Sequence, residues 1–176
     1  MRICTSMLAA VLVVMPSVAQ AAEAPCLTTN EFSALSSYAL PSLIRGTAQH
    51  CANVLPSDAF LRNGSAELAS RYDARKGLAW PGAKAAFIKM GSATNPQAAD
   101  IFRQMNDEAL KPLVDGLIQG MVGQQLPTGR CSAVNRLVML LAPLPAENTS
   151  ELIGLAAGLG AKDGKAKVGQ FSICPA

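Results

Sequence analysis

The chain has little of what enzymes and metal proteins most often use. Of its 176 residues only one is a histidine, His50, and only 5% are aromatic. None of the five cysteines belongs to a Cys-x-x-Cys pair, which argues against a zinc ribbon and against a thioredoxin-like redox site. We therefore predict no catalytic residue set, no metal site and no cofactor.

The acidic residues do not form a clear metal-binding pattern either. Asp100, Asp107 and Glu108 are close in sequence, but Arg103 and Lys111 are interleaved with them. Charges of alternating sign at helical spacing are typical of a solvated helix face with ion pairs. We interpret this segment as such a face and not as an oxygen-ligand cluster.

A basic excess is lacking too. The formal net charge is +3, and removing Arg2 with the predicted leader lowers it to +2. Nucleic-acid-binding domains carry a much stronger positive charge. We expect no nucleic-acid partner.

Long apolar runs are absent except at the N-terminus. Arg2 precedes the apolar residues 7–15, Pro16 interrupts the run, and Ala-Gln-Ala at 19–21 has the small-x-small pattern of a cleavage site. We predict a signal peptide over residues 1–21.

Cleavage is expected between Ala21 and Ala22. An uncleaved anchor is the alternative, but the run falls short of the roughly 20 apolar residues that span a bilayer. We expect no transmembrane segment after cleavage. The alanine-rich composition and simple leader are typical of a bacterial protein, which would place it in the periplasm or outside the cell.

Cleavage of the signal peptide would remove Cys4, and the exported protein would carry four cysteines into an oxidising compartment. Such residues usually form structural disulfides, and three pairings are possible. They are Cys26, Cys51, Cys131 and Cys174.

Proline at position 41 suggests which cysteines pair. If Pro41 turns the chain back, the two short helices around it form a hairpin that brings Cys26 near Cys51. We prefer the pair Cys26–Cys51, which leaves Cys131–Cys174 by elimination.

Local signals predict helices along residues 22–176. Alanine, leucine and glycine are abundant, Thr28 and Glu31 have the spacing of a capping box, and Asn95-Pro96 is typical of a helix start. About 155 residues suffice for one core. We predict an all-α, single-domain bundle of about seven or eight short helices stapled by two disulfides.

Polar segments and prolines set the predicted helix ends. We interpret residues 72–77 as a polar connection, Trp80-Pro81 as the start of a new helix, and Pro112 as a kink or restart. Residues 161–176 are predicted to be a flexible basic segment followed by a tail fastened by Cys174.

One segment combines cationic and aromatic side chains of the kind enriched in binding hot spots. These candidate binding residues are Arg71, Tyr72, Arg75 and Trp80. Because Trp80 is followed by proline, the alternative that it belongs to the core stays open.

Three functional hypotheses follow, led by a non-enzymatic binding protein with a secreted or envelope protein as its partner. The second is a carrier of an apolar small ligand between helices bearing Met105, Met121 and Met139. The third is a hydrolase using His50, with Ser37 or Ser42 as a conceivable nucleophile.

Overall fold

The computed structural model describes residues 26–162, 167–168 and 171–174, and within them the chain is an all-α bundle of seven helices with two disulfides. The predicted fold class is therefore confirmed. The helices are α1 (Thr29–Cys51), α2 (Phe60–Asn63), α3 (Ser65–Thr94), α4 (Pro96–Gln104), α5 (Asp107–Gln125), α6 (Cys131–Leu141) and α7 (Ala146–Lys162). A short 3-10 helix (Thr128–Arg130) precedes α6, and two short antiparallel strands, β1 (Lys167–Val168) and β2 (Phe171–Ser172), follow α7. None of the described helices is both long and apolar enough to cross a membrane.

The first helix begins at the predicted capping box. The backbone N–H of Glu31 donates to Thr28 Oγ1 at 3.2 Å, and the backbone N–H of Thr28 donates to Glu31 Oε2 at 2.8 Å. Two N–H groups that a helix start leaves without partners are thus satisfied locally. This explains why α1 starts at Thr29.

Pro41 does not break α1, and the predicted hairpin is wrong. The helix continues through the buried Pro41 for 23 residues, which at 1.5 Å per residue is about 35 Å. Its two ends are therefore far apart, whereas disulfide-bonded residues need Cα atoms within about 7 Å. Cys26 and Cys51 cannot pair in this fold.

The observed disulfides join Cys26 to Cys174 and Cys51 to Cys131, with Cα–Cα distances of 5.0 and 5.6 Å. All four predicted cysteines are bonded, but the preferred pairing was wrong. The first bond fastens the N-terminal end to the C-terminal tail. The second fastens the last residue of α1 to the first residue of α6.

Two more predicted helix boundaries are absent, because the helices again continue through a proline. Pro81 lies inside the 30-residue α3, which also contains residues 72–77, and Pro112 lies inside α5. An internal proline costs about 3 kcal/mol, but packing of a long helix face against its neighbours offsets this. Three of the helices are longer than the short ones that were predicted.

Helix α1 is the centre of the bundle, with α3, α5 and α7 packed around it. Helix α3 runs antiparallel to α1. Its late residue Lys89 pairs with Glu31 near the start of α1, and its earlier residue Asp73 pairs with Arg45 near the end of α1. Glycine allows a close approach at Gly46, where an added Cβ would lie 3.0 Å from the backbone of Gln119 in α5.

Three groups of buried side chains form the core. Tyr38 of α1, Trp80 of α3 and Val114 of α5 belong to the first. Ile44 and Tyr72 belong to the second, which joins α1 and α3 near the start of α7. The disulfide Cys51–Cys131 lies in the third group, together with residues around α2.

The C-terminal tail is packed against the N-terminal end. The N–H of Leu27 donates to Ser172 O at 2.9 Å, and the N–H of Cys174 donates to Leu27 O at 2.8 Å. Leu27, Phe171 and Ile173 are buried. The predicted signal peptide, and much of the segment predicted to be flexible, lie outside the described residues.

Candidate functional site

A cleft with a volume of about 460 Å³ lies between α1, α3 and α7. We call it the α1–α3–α7 cleft. Each helix contributes side chains from successive turns, since residues three or four apart share a helix face. Those used below are Ser33 and Ser37 from α1, Arg75 and Leu78 from α3, and Glu147 and Glu151 from α7.

An ion pair crosses this cleft. Arg75 Nη2 lies 2.6 Å from Glu147 Oε1, and both side chains are 47% exposed. At that exposure the pair contributes little to stability, at most about 1 kcal/mol. It is therefore available to exchange partners with an incoming charged group.

An apolar side chain stands beside this pair. Leu78 is 78% exposed at the cleft, one turn along α3 from Arg75. Arginine is enriched at protein interfaces, and Leu78 adds an apolar side chain beside Arg75. Together they give the cleft both an apolar and a charged recognition element.

Buried contacts fix the cleft wall. The Tyr72 hydroxyl donates to Thr149 Oγ1 at 2.8 Å, and the Thr149 hydroxyl is also within hydrogen-bond distance of Pro145 O, at 3.2 Å. Arg71 donates to Ala142 O at 2.9 Å. The Tyr72 bond joins α3 to α7, and the Arg71 bond joins α3 to the end of α6, so the wall is formed before any ligand arrives.

Three of the four candidate binding residues lie at this place. Tyr72 and Arg75 line the cleft, and with Arg71 they line an adjoining recess of about 150 Å³. Leu78 and Glu147 were not predicted. The predicted connection at residues 72–77 hid the common helix face of Arg71, Arg75 and Leu78, and Glu147 meets Arg75 only through the packing of α7 on α3.

Trp80 belongs to the core instead. It is 4% exposed, its ring centroid lies 4.9 Å from that of Tyr38, and Lys111 Nζ lies 5.4 Å from the ring. Its buried Nε1 has no hydrogen-bond partner within the described part of the chain. Trp80 is not among the side chains that line the cleft.

A polar cluster lies between α1, α3 and α5. Ser42 Oγ donates to Asp115 Oδ1 at 2.9 Å, and Lys76 Nζ lies 2.6 Å from both Asp115 oxygens and 4.4 Å from the Tyr38 ring centroid. Burial, together with the Asp115 carboxylate, raises the pKa of Tyr38, which keeps its phenol neutral. Because Ser42 is completely buried, a substrate does not reach its hydroxyl.

His50 is not brought together with either candidate nucleophile. Its Nε2 lies 2.8 Å from Leu126 O, which links the end of α1 to the end of α5. Ser42 lies eight residues earlier on the same helix, about 12 Å away along its axis, and the Ser37 hydroxyl donates to Ser33 O. The hydrolase hypothesis gains no support from this arrangement.

The acidic residues considered as oxygen ligands have cationic neighbours. Asp100 pairs with Arg103, and Asp107 pairs with Lys84 at 2.7 Å. The Lys84 ammonium lowers the pKa of Asp107. In the described segments no three His, Cys, Asp or Glu side chains are grouped as metal ligands.

The three methionines of the carrier hypothesis are dispersed. Met105 packs against the core group of Tyr38 and Trp80, whereas Met121 and Met139 are 53% and 46% exposed on α5 and α6. None of the three lines the α1–α3–α7 cleft.

Comparison with protein-family models, with curated proteins and with solved structures finds no match to this chain.

Proposed function

We propose that this chain is an exported, non-enzymatic binding protein that holds a segment of another secreted or envelope protein in the α1–α3–α7 cleft. The observation that carries the proposal is the position of Arg75, Leu78 and Glu147. These residues provide two half-exposed charges of opposite sign and a highly exposed leucine at one cleft.

The size and lining of the cleft suit a partner segment. Its volume of about 460 Å³ lies within the usual range for binding sites. Arginine is enriched among interface hot spots. An apolar side chain of the partner that is buried beside it adds affinity because it is removed from water. An extended segment with one apolar side chain and one charged side chain matches both elements.

Preorganisation supports the same proposal. The Tyr72–Thr149 hydrogen bond holds α7 against α3, and Arg71 bonds the end of α6; neither bond involves the exposed pair. A wall that is already ordered loses less entropy when a partner binds. Loss of Arg75 or Leu78 would therefore weaken binding without opening the fold.

Export is supported by two independent features. The N-terminal residues have the pattern of a cleaved signal peptide. All four remaining cysteines are disulfide-bonded, which is typical of proteins in oxidising compartments.

Partner capture with matched variants tests the proposal. Arg75→Glu reverses the cleft charge, whereas Arg103→Glu reverses an arginine of nearly equal exposure, 48%, paired with Asp100 on α4. Tagged proteins are used to capture partners from the exported fraction of the native host, and each variant's melting curve is compared with that of the wild type.

We expect the wild type and Arg103→Glu to retain the same partner, and Arg75→Glu to retain at least about tenfold less, which is about 1.4 kcal/mol. Equal retention by all three would contradict the proposed site. Substrate turnover by purified wild type would contradict the non-enzymatic proposal.

A further inference from the structure

A second groove lies between the end of α5 and α6 and shares no lining residue with the α1–α3–α7 cleft. Its volume is about 430 Å³. Its walls come from the segment after α5, the 3-10 helix and the first two turns of α6. We call it the α6 groove, and it is lined by Leu126, Pro127, Arg130, Ala133, Val134 and Leu137.

The groove is apolar along its length and continues on the surface of α6. Ala133 and Leu137 are one turn apart, and Leu140 follows on the same side of the helix. Leu137 and Leu140 are 56% and 63% exposed. From position 130 to 140 the helix rises about 15 Å, so the apolar strip is long enough for an alkyl chain.

The opposite face of α6 fixes its position. Cys131 is bonded to Cys51, and Asn135 Oδ1 accepts from the Leu61 N–H at 2.8 Å. At the other wall, Leu126 O lies 2.8 Å from His50 Nε2. Both walls are therefore held by contacts that do not use the groove itself.

Arg130 is the one charged residue among those that line the groove. It is exposed and forms no ion pair with a carboxylate of the described residues. A guanidinium presents paired N–H donors whose geometry matches a carboxylate. A ligand that matches this groove therefore has one anionic group and an apolar remainder.

The side chains that line the groove favour a molecule with one charged group and an alkyl chain over an extended protein segment. Apart from Arg130, the lining side chains are Leu, Pro, Ala, Val and Leu, which have no hydrogen-bonding groups. An extended peptide would bring backbone N–H and C=O groups that need partners. An alkyl chain needs none.

We infer that the α6 groove binds a long-chain carboxylate, with the carboxylate on Arg130 and the alkyl chain along Val134, Leu137 and Leu140. This goes beyond the proposed protein partner and uses a different surface. Binding is reversible and involves no covalent step.

Calorimetric titration of the purified mature protein with laurate, below the concentration at which laurate forms micelles, tests the inference. Arg130→Gln removes the cation and Leu137→Asn removes an exposed apolar contact. Arg103→Gln is the control, because Arg103 is exposed on α4 and does not line the groove. Dodecanol, which has the same chain without the charge, is the control ligand.

We expect saturable binding of one laurate, weakened about two- to fivefold by Arg130→Gln and by Leu137→Asn and unchanged by Arg103→Gln. Dodecanol should bind the wild type and Arg130→Gln equally. Arg75→Glu should leave laurate binding unchanged, which keeps this result separate from that of partner capture.

Two outcomes would overturn the inference. One is the absence of saturable laurate binding, or binding that neither Arg130→Gln nor Leu137→Asn weakens. The other is a protein partner whose capture is lost in Leu137→Asn and is not displaced by laurate, which would assign the α6 groove to a protein interface.

Discussion

Lys76 Nζ on α3 lies 2.6 Å from both carboxylate oxygens of Asp115 on α5. The two side chains are only 15% and 27% exposed. This ion pair joins α3 to α5, as the more exposed Lys84–Asp107 pair also does. Removing one partner leaves a largely buried charge without its counter-charge, which is costly.

Lys76→Met should therefore lower the free energy of unfolding by about 1 to 3 kcal/mol. Lys84→Met is the control, because its partner Asp107 is 47% exposed, and it should cost less than about 1 kcal/mol. Urea denaturation measures both. The double variant Lys76→Met with Asp115→Leu should lose less than the two single losses added together, and simple additivity would contradict the coupling.

Gly46 and Gly77 should respond in opposite directions to alanine. A Cβ on Gly46 would lie 3.0 Å from the Gln119 backbone, so Gly46→Ala forces α1 and α5 apart and should cost about 1 to 3 kcal/mol. Gly77 has open space around it within α3, and Gly77→Ala should stabilise by up to about 1 kcal/mol through helix propensity. Thermal denaturation of both variants checks this, and a loss of stability in Gly77→Ala would show that α3 is not a continuous helix there.

The disulfides should link Cys26 to Cys174 and Cys51 to Cys131 in a non-reducing peptide map. They span sequence separations of 148 and 80 residues, for which loop entropy gives upper values of about 5 and 4.5 kcal/mol. Replacing either pair with alanine should lower the melting temperature, which calorimetry measures. A peptide joining Cys26 to Cys51 would contradict the continuous helix α1.

Acid should weaken the start of α1. Burial acts to raise the pKa of Glu31, but hydrogen bonds from Lys89 and Thr28 outweigh it and hold the pKa below its ordinary value of 4.5. The resulting stabilisation is present above pH 4.5 and is lost as the pH falls through the lower folded-state pKa. Glu31→Gln should thus be less stable than the wild type at neutral pH, and the difference should be smaller at about pH 3. Urea denaturation at both pH values measures the difference, and a constant difference would contradict the assignment.

The starts of α1 and α4 could be predicted because their chemistry is local. Asn95 Oδ1 accepts from the Ala98 N–H at 3.0 Å, as the Asn-Pro start of α4 predicts, and Thr28 caps α1. These bonds depend on residues three positions apart. No knowledge of the tertiary fold is needed to see them.

Helix ends at proline could not be predicted in the same way. Pro41 is buried against the bundle and its neighbour Ser42 bonds Asp115, 73 residues away. Contacts of that range decide whether the chain continues through a proline. The predicted disulfide pairing was wrong for the same reason. It assumed a helix break at Pro41 and a hairpin that brings Cys26 near Cys51, and this hairpin does not form.

The candidate site was predicted in part. Arg71, Tyr72 and Arg75 lie at the clefts because they belong to adjacent faces of one helix, but Trp80 points into the core. Composition alone does not distinguish these directions. Only the continuity of α3 through residues 72–77 puts Leu78 beside Arg75 and Trp80 on another side of the helix.

Photo-crosslinking in the native host tests partner binding at the cleft most directly. A photoreactive phenylalanine analogue replaces Leu78 in one strain and Ile101 in another, since Ile101 is also an exposed apolar residue, at 61%, but lies on α4. A specific crosslinked protein at position 78 that is absent at position 101, and lost when Arg75→Glu is added, is the predicted result. The same crosslinks at both positions, or none at position 78, would contradict the proposal that the α1–α3–α7 cleft holds a protein partner.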